Sequence, residues 1–401
     1  MLITIRRLDY YFRVTLSIVI VVALSLSIQY YNTEIYYKQK PKPFSGDYLY
    51  NPYEDYKPNP IKANFHTHST AFLGLTNGSQ EPHEVYSHYH KNGYDIISLS
   101  NYQKITNDTG NSNYIPVYEH GYSIRKCHQL VINAQKVSYF DFPLFQTYHH
   151  KQQVLKKLQH EESLIAIAHP LLLNGYDFND FSYLKGYNLI EIFNNRKSYI
   201  KTWDKALENG YLVWLIANDD SHNINRHDHT FVSWTRIGAT DLSKKSVINA
   251  LAKGCHYGVK NIKNKEYNQL DSCKLKGNTL TVYFKNIAQS IVFISNGGSI
   301  QKTEYQTNSA TYTIKPSDRY VRIEANSENE IICLNPIVRY DGEKLPYQST
   351  FPPVNVVQTI LFRFMVLMVN SILFILLLLV NPNFKSQLFR RIGNLRQIKL
   401  G

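Results

Sequence analysis

The sequence has little cysteine, with Cys127, Cys255, Cys273 and Cys333 in 401 residues and no spacing that resembles CxxC. Metal or redox motifs built on closely paired cysteines are therefore excluded. These thiols have two interpretations. Cys255 and Cys273 could form a disulfide, or all four cysteines could be small buried side chains. We expect the second. An internal repeat is also lacking, so the sequence does not predict a repeat architecture.

Acidic residues are scarce relative to basic ones, 31 against 44, which gives a formal net charge of +13. Such basicity usually suggests nucleic-acid binding. Here Lys and Arg are dense at the two ends of the chain, beside long apolar runs, and this arrangement is typical of membrane proteins. We therefore expect no nucleic-acid partner.

Two apolar segments, 14–31 and 356–380, are long enough to span a bilayer, which takes about 20 residues. Basic residues lie outside both segments, which predicts an integral membrane protein with both termini cytoplasmic. The central domain is then extracytoplasmic, and periplasmic in a Gram-negative cell. The alternative for the first segment is a cleaved signal peptide with a small-residue site near Ser25 or Ser27.

Short apolar runs alternate with amphipathic ones from residue 61 onward. The predicted strands are KANFHTH, YDIISLS, LIAIAHP, NLIEIF and LVWLIAND, and the predicted helices are PHEVYSHYHKNG, HHKQQVLKKLQHE, SYIKTWDKALENG and KKSVINALAKG. This alternation predicts a mostly parallel α/β fold, open or closed into a barrel, with its ligand at the carboxyl ends of the strands. From about residue 263 only alternating runs remain, which predicts a small all-β, sandwich-like domain.

The predicted organisation follows from these patterns. It consists of 1–31 as cytoplasmic N-terminus and first transmembrane helix, 32–60 as extended linker, 61–262 as α/β domain, 263–345 as small β domain, 346–355 as linker, 356–380 as second transmembrane helix and 381–401 as basic cytoplasmic tail.

Histidine and carboxylate side chains follow three of the predicted strands. The first strand ends in His66 and His68, a later one in His169, and the last in Asp220 and His222. Residues two apart in an extended chain share a face, so each pair can point to one site. Imidazole and carboxylate groups gathered at strand ends are the ligands of a Zn, Mn or Fe site.

Two more ligand candidates lie between these strands, in IPVYEHGYSIRKCHQLVIN. They are Glu119 and His128, with His120 as an alternative to His128. Asp219 is likewise an alternative to Asp220, although a structural role at the strand end is expected for it. Glu191, in NLIEIF, either supports a ligand histidine or has a structural role.

The order of these motifs resembles the PHP family, the polymerase and histidinol phosphatase domain, over about residues 61–259. The likeness rests on an early HxH, the segment GYDIISLSN, a Glu followed by a His, a strand that ends in His-Pro, and a late DxH. The segment INALAKGCHYG and the β region after it also resemble a branch of the family with a C-terminal β extension. The resemblance implies a distorted α/β barrel that holds two or three metal ions and hydrolyses phosphoesters.

Carried over residue by residue, the resemblance implies two linked metal sites. One would be held by His66, His68, Glu119 and Asp220, and the other by Glu119, His128 and His169, with Glu119 bridging.

The chain departs from the family pattern where a third metal would bind. The family has Asp or His near the position of Asn77, and a TDH motif where this chain has Ser100, Asn101 and Tyr102. An amide and a phenol are poor ligands beside carboxylate and imidazole. We therefore predict two divalent ions (Zn, Mn or Fe), no organic cofactor, and Asn77 and Tyr102 as substrate-binding residues. His222, freed from a metal, is the predicted catalytic residue, as general acid or to orient phosphate.

The leading hypothesis is a membrane-anchored, extracytoplasmic phosphoesterase whose substrate is a phosphorylated small molecule or an envelope-derived compound. The alternatives are a metal-binding envelope scaffold whose catalysis has decayed, and a metal-dependent hydrolase of non-phosphate esters or amides. His227 and His229 follow the DxH and are further candidates for the pocket. The other histidine clusters are expected on solvated helix faces, at His83, His88, His90, His149 and His150.

Overall fold

The computed structural model of the chain describes residues 2–107, 113–261, 267–345 and 351–381. These residues form two compact units. The first, called the α/β unit here, consists of the described parts of Lys38–Phe140 and Val154–Pro352. The second, called the helical unit, consists of the described parts of Met1–Tyr37, Asp141–Gln153 and Pro353–Gly401. The predicted tail beyond residue 381 and residues 346–350 of the predicted linker lie outside the described residues.

Six helices and seventeen strands are present in the described residues. The helices are α1 (Leu2–Ser27), α2 (Pro82–Lys91), α3 (Tyr148–Leu158), α4 (Ile200–Glu208), α5 (Lys244–Lys253) and α6 (Val356–Val380). The strands are β1 (Tyr48–Tyr50), β2 (Ile61–Asn64), β3 (Ile96–Ile97), β4 (Val117–His120), β5 (Gln129–Ile132), β6 (Leu164–Ile167), β7 (Leu189–Asn194), β8 (Lys197–Ser198), β9 (Trp214–Asn218), β10 (Ser233–Ile237), β11 (His256–Asn261), β12 (Leu270–Lys276), β13 (Thr279–Ser295), β14 (Ser299–Thr313), β15 (Tyr320–Asn326), β16 (Glu330–Leu334) and β17 (Ile337–Tyr340).

The helices and strands predicted from periodicity are confirmed as α2 to α5 and as β2, β3, β6, β7 and β9. Local chemistry explains their ends. Helix α2 begins with a proline at its first turn, and Glu81 and Glu84 exchange side-chain to backbone hydrogen bonds there. Helix α5 begins where the Ser243 hydroxyl accepts a hydrogen bond from the Ser246 amide, and it ends at Gly254 with φ of 79°.

The strands form two sheets. The larger sheet has eleven strands in the order β1-β17-β15-β16-β11-β10-β2-β3, and β12 to β14 join it through pairing of β13 with β15. The smaller sheet has the order β4-β5-β6-β7-β8, with β9 also paired to β7. Among the described strands, parallel pairing occurs between β2 and β3, β6 and β7, and β7 and β9. The fold is therefore a mixed α/β fold, because hairpins such as β4–β5 add antiparallel strands to the parallel ones that the sequence predicted.

The two sheets approach each other through two isolated β-bridges. Thr67, just after β2, bridges to Ser221, just after β9, and Tyr102, after β3, bridges to Glu119 in β4. Within the described residues these are single bridges and not continuous ladders. A closed barrel is therefore not shown, but the ends of β2, β3, β4 and β9 are brought to one place.

The β-rich segment shares its sheet and its core with the rest of the α/β unit. Strand β16 pairs with β11, so the large sheet runs across the predicted domain boundary near residue 262. Tyr257 and Val259 of β11 pack in one buried cluster with Phe284, Phe293 and Ile323. The segment therefore does not form a sandwich of its own, because its apolar face is already covered by this common core.

Part of the predicted linker 32–60 also belongs to the α/β unit. Strand β1 pairs with β17, and Tyr53 is buried. The Tyr53 hydroxyl donates a hydrogen bond to the carbonyl of His256 and accepts one from the amide of Asn335. These contacts fix residues around Tyr53 to the large sheet.

All four cysteines are free and buried, as the sequence predicted. Burial raises the pKa of both the Cys255 and the Cys273 thiols to about 12. These side chains are therefore neutral and act as small apolar groups.

The helical unit contains both helices that are long and apolar enough to cross a membrane, residues Leu8–Asn32 and Val356–Val380. The Ser27 hydroxyl donates a hydrogen bond to Oδ1 of Asn370, 2.5 Å away, so polar groups on the two helices satisfy each other. His150 is buried in this unit, with its ring 4.3 Å from that of Phe142. The expectation that His150 lies on a solvated helix face is therefore wrong, because aromatic side chains cover it.

Candidate metal centre

The six predicted ligands come together in the α/β unit, where the two sheets approach each other. His66 and His68 follow β2, Glu119 lies in β4, His128 directly precedes β5, His169 follows β6 and Asp220 follows β9. Glu119 and the four imidazoles are buried, and the Asp220 side chain is 13% exposed. Each side chain therefore lies in or beside a strand and points into the same small volume.

Four buried atoms of this cluster lack a hydrogen-bond partner and face one another. Nε2 of His66 lies 3.4 Å from Oε2 of Glu119 and 3.2 Å from Oδ1 of Asp220. Nε2 of His68 lies 3.2 Å and 3.3 Å from the same two oxygens. The corners of a regular tetrahedron with edges of about 3.3 Å lie about 2.0 Å from its centre, which is the bond length of Zn to nitrogen and oxygen. This donor set, called the first ligand group here, fits a divalent metal ion.

A second set of donors faces the other oxygen of Glu119. Oε1 of this carboxylate lies 2.5 Å from Nδ1 of His128 and 3.0 Å from Nε2 of His169. These three residues are called the second ligand group. His66, Glu119 and His169 also have ligand atoms close enough to hold an ion together. One carboxylate is thus shared by both groups, which is the geometry of a bridging ligand.

Two of the ligand residues have unusual backbone conformations. The φ of His169 is 27° and that of Asp220 is 52°, in a region that residues other than glycine rarely occupy. Hydrogen bonds hold both in place, since the Asp220 amide donates to the carbonyl of His66 and the His169 amide donates to Oε2 of Glu191. The surrounding structure therefore imposes the position of these two side chains.

Glu191 supports the first ligand group from behind. Its Oε1 lies 2.8 Å from Nδ1 of His66, which turns Nε2 of that ring toward the other donors. The side chains of Asn194 and Asn218 donate hydrogen bonds to the same carboxylate. The sequence left open whether Glu191 supports a ligand, and it gave no sign of the two asparagines except their position at strand ends.

The electrostatics of the cluster favour charged carboxylates. Burial raises the pKa of Glu119, but the neighbouring imidazoles of His128 and His66 outweigh burial and hold this pKa well below its ordinary value. The pKa of Asp220 is lowered in the same way, chiefly by His66 and His68. Burial lowers the pKa of His66, yet the carboxylates around it raise it well above the ordinary value. Without a cation, the cluster therefore takes up protons to balance its two buried anions.

The predicted catalytic and substrate-binding residues lie on one side of this cluster. The ring of His222 stacks on that of His68 with centroids 4.1 Å apart, and its Nδ1 lies 3.0 Å from the carbonyl of Asp220. Tyr102 also stacks on His68, and its hydroxyl lies 3.4 Å from Nε2 of His222. Asn77 is exposed, and its side chain lies near the Tyr102 hydroxyl, where it acts against the burial that raises the pKa of Tyr102. His222 is partly exposed, so this is the side open to solvent.

The alternative ligands have other partners. His120 bonds to Gln129 and to the carbonyl of Phe140. Asp219 accepts hydrogen bonds from the Val232 and Ser233 amides, which gives it a structural role.

The neighbouring polar groups are also engaged away from the two ligand groups. Asn101 bonds to the amide and hydroxyl of Ser69, so its side chain fixes a loop. His229 lies beside Asn195 and Asp228.

Neither a family model nor a curated protein sequence matches the chain. Among solved structures, the chain is similar to a two-domain protein from Bacteroides vulgatus ATCC 8482, described as containing a predicted PHP-like metal-dependent phosphoesterase. The identity is 14%, the TM-score is 0.39, and the match covers 74% of this chain and 99% of that one. A similarity this distant carries no conclusion about activity, so function is argued from the site.

Proposed function

We propose that the chain is a membrane-anchored, metal-dependent phosphoesterase whose active site is the cluster around Glu119. The observation that carries the proposal is the set of unpartnered buried atoms of His66, His68, Glu119 and Asp220, which face one another across about 3.3 Å. Buried polar atoms without partners are rare in proteins and mark sites that a ligand completes. The second oxygen of Glu119 faces the second ligand group, so the cluster supports two divalent ions.

Adjacent divalent sites that share a carboxylate suit the hydrolysis of phosphoesters. When bound, the ions supply a water that is deprotonated near neutral pH and offset the charge of the phosphoryl group. In the reaction, the water oxygen forms a bond to phosphorus, the bond from phosphorus to the alcohol oxygen breaks, and one proton passes from the water to the leaving alcohol.

The residues on the open side have roles in this scheme. The Asp220 carbonyl fixes the ring of His222 through Nδ1 and directs Nε2 toward Tyr102 and solvent. From that position His222 exchanges the proton with the water or with the leaving alcohol. The hydroxyl of Tyr102, which lies near the side chain of Asn77, donates a hydrogen bond to a phosphate oxygen.

The proposal is tested with the full chain purified in detergent, stripped with a chelator and reloaded separately with Zn²⁺, Mn²⁺ or Fe²⁺. We expect hydrolysis of p-nitrophenyl phosphate or bis-p-nitrophenyl phosphate with at least one ion. Asp220→Asn should lower the rate at least about 100-fold, because it removes one of two carboxylates from the first ligand group. His83→Ala, at an exposed position on α2, is the matched control and should keep the rate.

Two other outcomes would replace the proposal. Bound metal without turnover of any phosphoester would favour a decayed scaffold, which the phenol of Tyr102 and the loop-fixing amide of Asn101 motivate. Turnover of p-nitrophenyl acetate or an amino-acid anilide in preference to phosphoesters would identify an esterase or amidase, since the same ligand types serve aminopeptidases.

We also propose that the helices α1 and α6 cross the membrane, with both termini cytoplasmic and the α/β unit outside. The support is their length, their hydropathy and the basic residues beyond them. Alkaline phosphatase and green fluorescent protein are fused in turn after Gly401. The phosphatase fusion should be inactive and the fluorescent one bright, and the reverse pattern would refute this orientation.

A further inference from the structure

Exposed apolar side chains lie on the loops that adjoin the candidate metal centre. They lie on three loops, each next to a ligand in sequence: residues 69–80 after His68, 121–127 before His128, and 170–176 after His169. The exposed apolar residues, called the apolar rim here, are Phe72, Leu73, Leu75, Ile124, Leu171 and Leu173. Isolated exposed leucines are common, but a group of six around one site is not.

Contacts among the loops join the rim into one surface beside Tyr102. Nζ of Lys126 lies 5.3 Å from the centre of the Tyr102 ring, and Nζ of Lys104 lies 5.7 Å from the centre of the Phe72 ring. The loop 170–176 packs on the loop 121–127, where Sγ of Cys127 lies 2.5 Å from the carbonyl of Gly175. The amide of Ser69 donates a hydrogen bond to the side chain of Asn101, next to Tyr102, which ties in the loop 69–80.

The backbone of the rim shows that folding does not account for these side chains. Phe72, Leu73 and Leu173 have φ of 49°, 58° and 48°, a left-handed conformation that disfavours large side chains. Their side chains are exposed, and that of Leu73 is completely exposed. Burial of these side chains therefore does not offset the free-energy cost of the left-handed backbone. The backbone conformation and the exposure of these side chains are both unfavourable in the folded chain. Contact with an external partner explains why large apolar residues occupy these positions.

The charge of the rim narrows the class of partner. The three loops contain no Asp or Glu, and the carboxylates that directly follow two of them, Glu81 and Asp177, cap helical turns. Arg125 and Lys126 lie on one of the loops, and Lys104 lies beside Phe72. Apolar groups interleaved with cations complement an anionic amphiphile, whose hydrocarbon part and charged head meet both.

We propose that the apolar rim contacts the hydrocarbon chains of membrane lipid, so that the metal centre hydrolyses a phosphoester carried by a lipid. This inference rests on the proposed function and specifies its substrate class. Lipid is favoured over a protein partner because the same chain carries two helices that are long and apolar enough to cross a membrane. The head group reaches the ligand groups past Tyr102 and His222, while Lys126 and Lys104 lie beside its phosphate and the rim holds its chains.

Contact with lipid is tested without any need for catalysis. The native cysteines are buried, so a fluorophore attached to a full-length Leu73→Cys variant reports on the rim. The variant is reconstituted in vesicles of phosphatidylcholine and phosphatidylglycerol, with or without bromine on the acyl chains. We expect brominated chains to quench the rim label at least about twofold more than the label of an Ile300→Cys control, an exposed apolar position on β14. Equal quenching at the two positions, or none at the rim, would overturn the inference and would favour a protein partner.

Substrate preference is tested with the combined variant Leu73→Ser, Leu75→Ser and Leu173→Ser, against the control Ile287→Ser with Ile300→Ser on β13 and β14. Probes are vesicles containing dioleoyl phosphatidic acid or dioleoyl phosphatidylglycerol, and water-soluble p-nitrophenyl phosphate. The rim variant should lose at least about tenfold in kcat/KM on the lipid probes and keep its rate on the soluble one within about twofold. An equal loss on both would mean a structural effect and would overturn the inference. If the unaltered chain hydrolysed no probe, the proposed function would fail, and the quenching result would still decide whether the rim contacts lipid.

Discussion

The shared carboxylate of Glu119 makes a sharp prediction for the variant Glu119→Gln. Oε2 faces the imidazoles of His66 and His68, and Oε1 faces those of His128 and His169. An amide offers one neutral oxygen and one NH₂ group, which cannot bind a cation. We therefore expect this single change to weaken both metal sites, whereas changes in the other ligands weaken mainly one.

The size of the effect follows from burial and charge. Glu119 and Asp220 are the two anions of the first ligand group, and Glu119 is the anion of the second. Removing one partner from a buried charged set costs about 3–5 kcal/mol, which corresponds to a metal Kd about 10² to 10⁴ times higher. Asp220→Asn should show this loss at one site, and Glu119→Gln should show it at both.

The measurement is equilibrium dialysis of the stripped full-length chain against buffered Zn²⁺ or Mn²⁺, followed by elemental analysis. We expect two tight ions in the unaltered chain, one in Asp220→Asn and none in Glu119→Gln. Glu304→Gln, which alters an exposed carboxylate paired with Lys302, is the control and should bind two. If Glu119→Gln kept one site at unchanged affinity, the bridging role derived from the two oxygens would be wrong.

Further predictions concern the support of the site and the core around it. Glu191→Gln removes the charge beside Nδ1 of His66 and should lower metal affinity about 10- to 100-fold, measured by competition with a coloured chelator; unchanged affinity would refute this role. Burial lowers the pKa of His256 to about 4 from its ordinary 6.5, so only the unfolded chain takes up this proton as the pH falls through that window. His256 therefore lowers the free energy of unfolding, measured in urea, by about 2 kcal/mol when the pH falls from 7 to 4.5. In the His256→Gln variant the same fall in pH should lower the free energy of unfolding by about 2 kcal/mol less than in the unaltered chain. An equal decrease in both proteins would contradict the argument. Trp203→Ala leaves a cavity at a fully buried position and should lower the free energy of unfolding by about 3–5 kcal/mol, whereas a loss below about 1 kcal/mol would show that the site collapses.

Periodicity and strand-end chemistry were enough to predict the local elements and the grouping of the ligands. LVWLIAND begins with a buried apolar run and is followed by Asp220 and His222, so a strand and its functional end are visible together. KANFHTH shows the same combination less clearly, with buried Ala63 and Phe65 before His66 and His68. The sequence placed His66 and Asp220 at the carboxyl ends of strands, where a ligand is expected. In the structure these two strands belong to different sheets, whose ends meet at the isolated bridge of Thr67 to Ser221. The choice of His128 and the bridging position of Glu119 came from the family resemblance, since spacing alone left His120 open.

Features that depend on long-range packing could not be predicted. Nothing in the segment before Tyr53 shows that it pairs with a strand almost 300 residues later in the chain, since β1 has only the three residues Tyr-Leu-Tyr. The burial of His150 likewise depends on aromatic residues that are distant in sequence, such as Tyr30. The apolar rim was missed for the opposite reason. FLGL and LLLN are apolar runs with no strand or helix period, and this combination beside a ligand is itself the signal that could have found them.

The position of the candidate metal centre between the two sheets would give bound ions a mechanical role besides their chemical one. His66 and His68 extend from the eleven-stranded sheet, whereas Glu119, His169 and Asp220 extend from the six-stranded sheet. An ion held by both sets would be a removable cross-link between the two sheets, added to the contacts that already join them, such as the hydrogen bonds of the Thr235 hydroxyl in β10 to the backbone of Ala217 in β9. Like a disulfide, it ties together distant parts of the chain, but its strength depends on the free metal concentration. If the proposed ions bind, removal of the metal should therefore empty the site and loosen the contact between the two sheets at the same time.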